Sequence, residues 1–493
     1  MHGGVTMRGT GTRHGRMKMG RRMQGNGPRW GAFFGIVLAC ATLATAVAGQ
    51  QLTLEPHEEL ARELLRELIE INTVDSAGTT AAAEAMARRL LDAGFPAEDV
   101  NVVGPNERKM NLVARLRGRN TGRPAILLLA HLDVVEALPS DWNMDPFTFN
   151  ERDGYYYGRG VVDDKDEAAI YTANLIRLRQ EGFVPDRDII VALTADEEGG
   201  GFNGVQWLIE NRRDLIDAEY ALNEGGGGAI KDGIHQLNSV QASEKVYQSF
   251  TLTASNPGGH SSLPRSDNAI YDLANALVRV GEYHFPVMLN EVTEAYLRGT
   301  ADVEGGPIAA DIRMVLADPE NSGAAERLQV YPYLNSRMRT TCVATRLSGG
   351  HADNALPQTA TATVNCRILP NHNPAEVLLA LRREAGRGIE VLATGQPNPS
   401  PPSPLSAAVL GPIERITEEM WPGVPVVPTM STGATDGLYL RRAGIPTYGV
   451  SGLFGDVDDV RSHGQDERLL IKSFFEGQEF LYRLAKALSG TIS

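Results

Sequence analysis

From Leu52 onward the apolar positions of the chain switch between two periods. Across Glu55–Ile71 the residues Leu60, Leu64, Leu65, Leu68 and Ile69 recur at the spacing of one helix face, and Thr79–Ala93 repeats it in alanine-rich form. Short aliphatic runs follow at Asn111–Leu116, Ala125–Ala130, Asp188–Thr194 and Tyr220–Leu222, each closed by a polar turn, with helical Asp166–Arg179 and Gly204–Arg212 between them. Strands apolar on both faces that alternate with helices predict a sheet covered on both sides, a three-layer α/β/α catalytic domain.

The pattern changes after Leu237. Gln248–Ala254 alternates like a half-exposed strand, Asn268–Val280 is helical, and Thr340–Leu347 and Thr359–Leu369 form a strand pair. Pro374–Glu384 is helical again and Ile389–Thr394 is a strand, which completes the order β-α-β-β-α-β of a small α+β sandwich. It reads as a lid and dimerisation domain inserted into the first. The stretch Glu282–Arg339 is an elaboration of it with no legible period. Pro- and Ser-rich Gln396–Pro404 leads back to helices Leu405–Met420 and Glu467–Leu488, which flank a last core strand near Pro446–Val450. The predicted bounds are 1–48 for a signal peptide, 49–241 and 397–493 for the two catalytic parts, and 242–396 for the lid.

Composition and charge narrow the class. A 42% hydrophobic share excludes a disordered chain, and Cys 3 excludes a disulfide scaffold. The formal charge of -14 argues against nucleic acid or an anionic membrane as partner. The basic residues Arg8, Arg13, Arg16, Lys18, Arg21, Arg22 and Arg29 precede the apolar run Phe33–Leu38 and a softer stretch to Val47, with no acid before Glu55. Ala46 and Ala48 then form an A-x-A site, so the segment reads as a cleaved export signal to the periplasm or outside. Lipoprotein anchoring at Cys40 is the second reading, and twin-arginine export through Arg21-Arg22 a third. Once the segment is removed, 40 basic residues face 61 acidic ones.

Candidate chemistry collects where core strands end, the place at which open α/β sheets bind ligands. His131 and Asp133 follow Ala125–Ala130, Asp163 and Asp164 follow the turn Tyr157-Gly158-Arg159-Gly160, Glu197 and Glu198 follow Asp188–Thr194, and Glu224 follows Tyr220–Leu222. His463 stands in Ser-His-Gly-Gln-Asp-Glu. Any one of these has an ordinary structural explanation. Converging in one crevice they would repel one another unless cations neutralised them, and a mixed imidazole and carboxylate set suits Zn²⁺, with Co²⁺ or Mn²⁺ as substitutes.

His131-Leu-Asp133, Gly158-Arg-Gly-Val-Val-Asp163-Asp-Lys165, Glu197-Glu198-Gly199, Asn223-Glu224-Gly225, Gly258-Gly-His260-Ser-Ser and His463-Gly464 occur in an order that resembles the co-catalytic zinc amidohydrolases. That family includes aminoacylase, glutamate carboxypeptidase, succinyl-diaminopimelate desuccinylase and carnosinase-like dipeptidases. The resemblance implies two Zn²⁺, one held by His131 and Glu224, the other by Glu198 and His463, with Asp163 bridging both. It implies that the Asp133 carboxylate orients the His131 ring, that Glu197 is the general base, and that the Asp163–Asp164 peptide is cis. His260 is expected to stabilise the tetrahedral oxyanion, often from a neighbouring subunit, so the partner arrangement is a homodimer through the lid. Arg367 and Asn354 match the positions that grip the substrate carboxylate, and Gly433 and Thr435, in Gly433-Ala-Thr435-Asp436-Gly437, match the loop that completes that pocket.

A serine hydrolase would need Gly-x-Ser-x-Gly, and Gly449-Val-Ser451-Gly452-Leu453 lacks the last glycine. The large lid favours a metallo-exopeptidase that cuts short peptides beside a free C-terminal carboxylate. An aminoacylase acting on N-acyl amino acids is the alternative, and a non-catalytic peptide-binding module on the same fold a third. Cys342 and Cys366 come into register if Leu347 faces Thr361 across a hairpin, and an oxidising compartment would permit a bridge between them.

Overall fold

The computed structural model describes residues 54–120 and 122–490. The expectations placed on residues 1–48, Arg21-Arg22 and Cys40 among them, lie outside the described residues. The large sheet runs, neighbour to neighbour, through Val100–Val103, Asn111–Leu116, Ile189–Thr194, Ala125–His131, Ala218–Asn223, Thr447–Gly449, Ile234–Glu244, Gly228–Lys231 and Phe454–Asp456, with Val426–Ser431 also paired to Ile234–Glu244. Ala125–His131 is parallel to both of its neighbours. Its side chains separate by parity: Ile126, Leu128 and Ala130 enter one apolar cluster, while Ala125, Leu127 and Leu129 enter another on the opposite face. Helices Pro56–Glu70, Lys165–Gln180, Ala407–Met420 and Ile471–Ser489 cover the first face; Gly204–Asn211 and Gly437–Arg442 cover the second. Both faces are therefore dry, and functional groups reach solvent only at the strand ends.

Lys245 alone separates Ile234–Glu244 of the large sheet from Val246–Ser255 of the lid sheet, whose order is Thr341–Gly349, Thr359–Ile368, Val246–Ser255, Ile389–Thr394. Helices Ala269–Glu282 and Pro374–Ala385 cover one face of this sheet, burying Leu273, Ala276, Val377 and Leu381 against Phe250, Leu252 and Val364. The stretch without a legible period forms four helices, Glu291–Glu304, Gly306–Ala317, Ser322–Leu328 and Pro332–Met338, around Leu297, Ile312, Val315 and Leu334. The first of them lies so close to Val426–Ser431 that a Cβ on Gly299 would stand 2.8 Å from Val427 Cγ1. This contact fastens the elaboration to the catalytic layer.

Two details differ from the sequence expectation. The last helix begins at Ile471 and not at Glu467, because Arg468–Leu470 pairs as a strand with Tyr155–Tyr157. Leu347 faces Ala362 and not Thr361, since a bulge between Ala344 and Arg346 takes up one residue. On the near side of that bulge Cys342 opposes Cys366, and the two are joined as a disulfide. Among the described residues no helix is long and apolar enough to cross a membrane.

Candidate metal centre and active site

His131 is the last residue of its strand and is almost fully buried, which fixes its ring against two neighbours. Its Nε2 lies 3.0 Å from Asp163 Oδ1, and its backbone N–H donates to Asp164 Oδ2 at 3.1 Å. His463, in the left-handed backbone region, brings Nε2 to 2.7 Å from Glu198 Oε1 and 3.0 Å from Asp163 Oδ2. Asp163 thus offers one carboxylate oxygen to each histidine. The peptide between Asp163 and Asp164 is cis.

Two groups of donor atoms lie within 4.8 Å of one another: His131, Asp163 and Glu198, and His131, Glu197 and Glu224. Ligands about 2.0–2.2 Å from one ion are at most about 4.4 Å apart, so each group is close to the dimensions of a metal shell, with His131 common to both. The electrostatics agree. Burial first, then Glu224, pushes Glu197 well above the usual carboxylate range, and burial first, reinforced by Asp163, pushes Glu224 up to about 8. Burial also raises Glu198. Burial would raise Asp163 too, but the hydrogen bonds to His131 and His463 outweigh it and hold that carboxyl well below normal. His463 is pushed up to about 9, chiefly by its contact with Asp163. Protons here do part of what cations do better, and the residues present fit two divalent ions.

The supports of these groups are partly unlike the expectation. The acceptor for His131 Nδ1 is the backbone carbonyl of Asp133, at 3.0 Å, and the Asp133 carboxylate lies 3.8 Å away. That carboxylate instead accepts the backbone N–H groups of Glu197 and Glu198, at 3.1 and 3.0 Å, and so holds the turn that carries both side chains. Asp133 orients the histidine through its main chain and the two glutamates through its side chain. Thr435 also differs. Its N–H and hydroxyl both donate to Glu244 Oε2, at 3.1 and 3.0 Å, so neither is free for a substrate carboxylate. The N–H of Gly433 is turned to Ser431 Oγ at 3.0 Å. The loop is held to the hinge by Glu244, which also pairs with Arg441 at 2.9 Å.

The lid residues fall in two places. Arg367 stands at the hinge end, across from Tyr247 and Thr341. His260 and Asn354 stand together at the other end, where Gly259–His260 pairs with Ala355–Leu356 and the Ser261 N–H donates to the Asn354 carbonyl at 2.9 Å. His260 Nδ1 accepts from the Ser262 N–H at 3.2 Å. The ten-residue strand Val246–Ser255 separates the two places, roughly 30 Å of chain at the usual rise per residue. The hydrogen bonds of His260 and Asn354 are to their own loops, and none is to the histidine and carboxylate cluster of the same chain.

Three supporting groups were not singled out from the sequence. Glu467 accepts from the Gly160 and Val162 N–H groups at 3.1 and 3.0 Å and from Arg159 Nη1 at 2.5 Å, tying the His463 segment to the loop that bears Asp163. Its signal was its place four residues after His463. Asp436 accepts from the Thr194 hydroxyl at 3.1 Å and Asn203 Nδ2 at 2.6 Å beneath Glu197, and burial pushes it up to about 6. Lys109, 3% exposed, pairs with Asp196 and donates to Asp75 at 2.8 Å, and Asp196 has a positive φ immediately before the two glutamates. No sequence signal marks Lys109. Lys109→Met would strand the dry Asp196 carboxylate, and the expected loss is about 3–5 kcal/mol of unfolding free energy, read from denaturant midpoints. A change below about 1 kcal/mol would show that the pair does not hold this turn.

Comparison with known proteins agrees with this geometry. The model of Peptidase family M20/M25/M40 matches residues 127–487. The chain is 31% identical over 369 residues to the N-fatty-acyl-amino acid synthase/hydrolase PM20D1 of Xenopus tropicalis, covering 72% of this chain and 70% of that one. It is 28% identical over 383 residues to Aminoacylase-1 of Mus musculus, covering 76% and 82%. Among solved structures, the M20 family metallo-carboxypeptidase Sso-CP2 from Sulfolobus solfataricus superposes with a TM-score of 0.65 at 18% identity, over 87% of this chain and 99% of that one. With its paired histidines, its carboxylates at the strand ends and its inserted lid, the chain belongs to the peptidase M20/M25/M40 family and is a hydrolase.

Proposed function

We propose that the protein is an exported two-metal amidohydrolase that cuts the amide bond of N-acyl amino acids beside their free carboxylate. The observation that carries the reading is Asp163, one carboxylate shared between His131 and His463. Zn²⁺ is the proposed metal, with His131 and Glu224 holding one ion, Glu198 and His463 the other, and Asp163 both. When bound, the ions supply Lewis acidity to the scissile carbonyl and acidify the attacking water. Glu197, held on the turn fixed by Asp133, takes the proton from that water and passes it to the leaving amine. Arg367 grips the carboxylate. Since His260 and Asn354 make no hydrogen bond to the cluster of their own chain, the proposal includes a homodimer in which the lid of a second copy brings them in. The edge strand Thr341–Gly349, with Val343 and Leu347 exposed, and the helix face of Tyr271 and Val278 are the surfaces suited to that contact. Export is supported by the bridge between Cys342 and Cys366, a pairing at home in an oxidising compartment.

The substrate class rests on the relatives that are named for N-acyl amino acids. Short peptides are the second reading, favoured by the four helices added to the lid. Metal-loaded protein tested on N-acyl amino acids of short and long acyl chain beside a dipeptide panel separates them. The expected outcome is a kcat/KM at least about tenfold higher on the N-acyl amino acids, about 1.4 kcal/mol of transition-state preference. Faster dipeptide cleavage would transfer the assignment to the exopeptidase reading.

A further inference from the structure

The two histidines of the metal centre are held in different ways. His131 is buried, and its Nδ1 rests on the Asp133 carbonyl at 3.0 Å. The His463 side chain is half exposed with its Nε2 turned to Asp163 and Glu198, and among the described residues no group hydrogen-bonds to its Nδ1. A metal-binding imidazole is usually aimed through its second ring nitrogen. For His463 that task falls to the main chain, whose left-handed φ of 61° fixes the direction in which the ring leaves its loop. Arg159 grips this loop: Nη2 donates to the Gly464 carbonyl at 3.1 Å, one residue past His463, and Nη1 pairs with Glu467 at 2.5 Å. Glu467 in turn accepts the N–H groups of Gly160 and Val162 at 3.1 and 3.0 Å, the second of them next to Asp163. Both side chains of the pair are buried, and the guanidinium lies over the Trp142 ring at 5.1 Å. A buried ion pair adds little stability over apolar side chains of the same volume, so what this one supplies is the fixed direction of its hydrogen bonds.

We infer that Arg159 and Glu467 are positioning residues that aim His463, and that they set the affinity of the ion His463 shares with Glu198. The inference rests on the two-metal reading and deepens it by separating the two sites. His131 ends a strand and has its ring held by Asp133, so the ion on that side does not depend on the Arg159 side chain. A guanidinium suits the junction because its planar fork serves the Glu467 carboxylate and the Gly464 carbonyl together. On the outer side of the same loop, Asp466 accepts the Asn143 N–H at 3.0 Å and Asn143 Nδ2 at 2.5 Å. The loop of the bridging carboxylate and the loop of the exposed histidine are thus locked at one spacing.

Co²⁺-loaded protein titrated with a competing chelator tests this, with the visible absorption of the bound metal and the metal content following the two ions as they leave. His463→Ala marks which step belongs to His463. Arg159→Lys keeps a positive charge for Glu467 but loses the planar fork, and it should weaken that step by about 10–100-fold while leaving the other within about threefold. Glu467→Gln removes the counter-charge of Arg159 and is the second arm, expected to weaken the same step at least as much. Thermal melting verifies that each variant is folded. Turnover of Arg159→Lys should recover toward wild type as free Co²⁺ is raised, a rescue that general loosening of the fold would not give. An unchanged His463 step in the folded variants, or equal weakening of both steps, overturns the positioning role while a wild type with two ions keeps the two-metal reading. A wild type that takes up fewer than two ions overturns that reading and the inference with it.

Discussion

Glu197→Gln is expected to lower kcat on the best substrate by about 10²–10⁴-fold while the metal content stays at that of the wild type. Glutamine keeps the size of the side chain and the turn held by Asp133, whose carboxylate accepts main-chain N–H groups that the substitution does not touch. It removes the one property a base requires, an oxygen that takes and releases a proton. Burial and the neighbouring Glu224 hold Glu197 well above the usual carboxylate range. Glu197 also lies within ligating reach of His131 and Glu224, so metal analysis of the variant is part of the experiment. Loss of an ion would make Glu197 a ligand, and turnover above about a tenth of wild type would remove it from proton transfer.

Asp163→Asn should be at least as damaging, by a different route. Asp163 puts one oxygen beside each histidine, and an amide offers a single neutral oxygen and an N–H₂ that repels a cation. The expected results are fewer metal ions per chain than in the wild type and a fall in kcat/KM on the order of 10³-fold or more, about 4 kcal/mol of barrier. Full metal content with near-normal turnover would show that the carboxylate does not hold the two sites together.

Much of this arrangement was legible in the chain before its fold was known, for reasons that differ by element. Ala125–His131 announced itself because both of its faces are buried and almost every position is apolar. Ile234–Glu244 and Val426–Ser431 did not, since Asn238, Gln241 and Ser243 are buried polar groups and Pro428 interrupts the other run. Polar strands at a site's edge carry no hydrophobic period to read. The four helices between the lid strands were hidden because they pack around a small cluster of their own, and no single helix repeats its apolar spacing for long. Among site residues, strand-end position and motif order singled out the histidines and carboxylates, but residue order cannot say which oxygen of Asp133 faces His131 or that Glu244 occupies both donors of Thr435. Those are choices between competing acceptors, settled only when the loops are packed. Lys109 and Lys245 went unread for a related reason: a buried lysine is recognisable by its surroundings and not by its neighbours in sequence.

The central claim is that hydrolysis depends on cations shared by these histidines and carboxylates. Metal content and hydrolysis of an N-acyl amino acid, measured on one preparation before chelation, after exhaustive chelation and after readdition of Zn²⁺ or Co²⁺, tests it most directly. The account predicts two ions per chain in the active protein, no turnover in the emptied protein and recovery in step with the second ion. Undiminished hydrolysis by protein shown to be free of metal would contradict it.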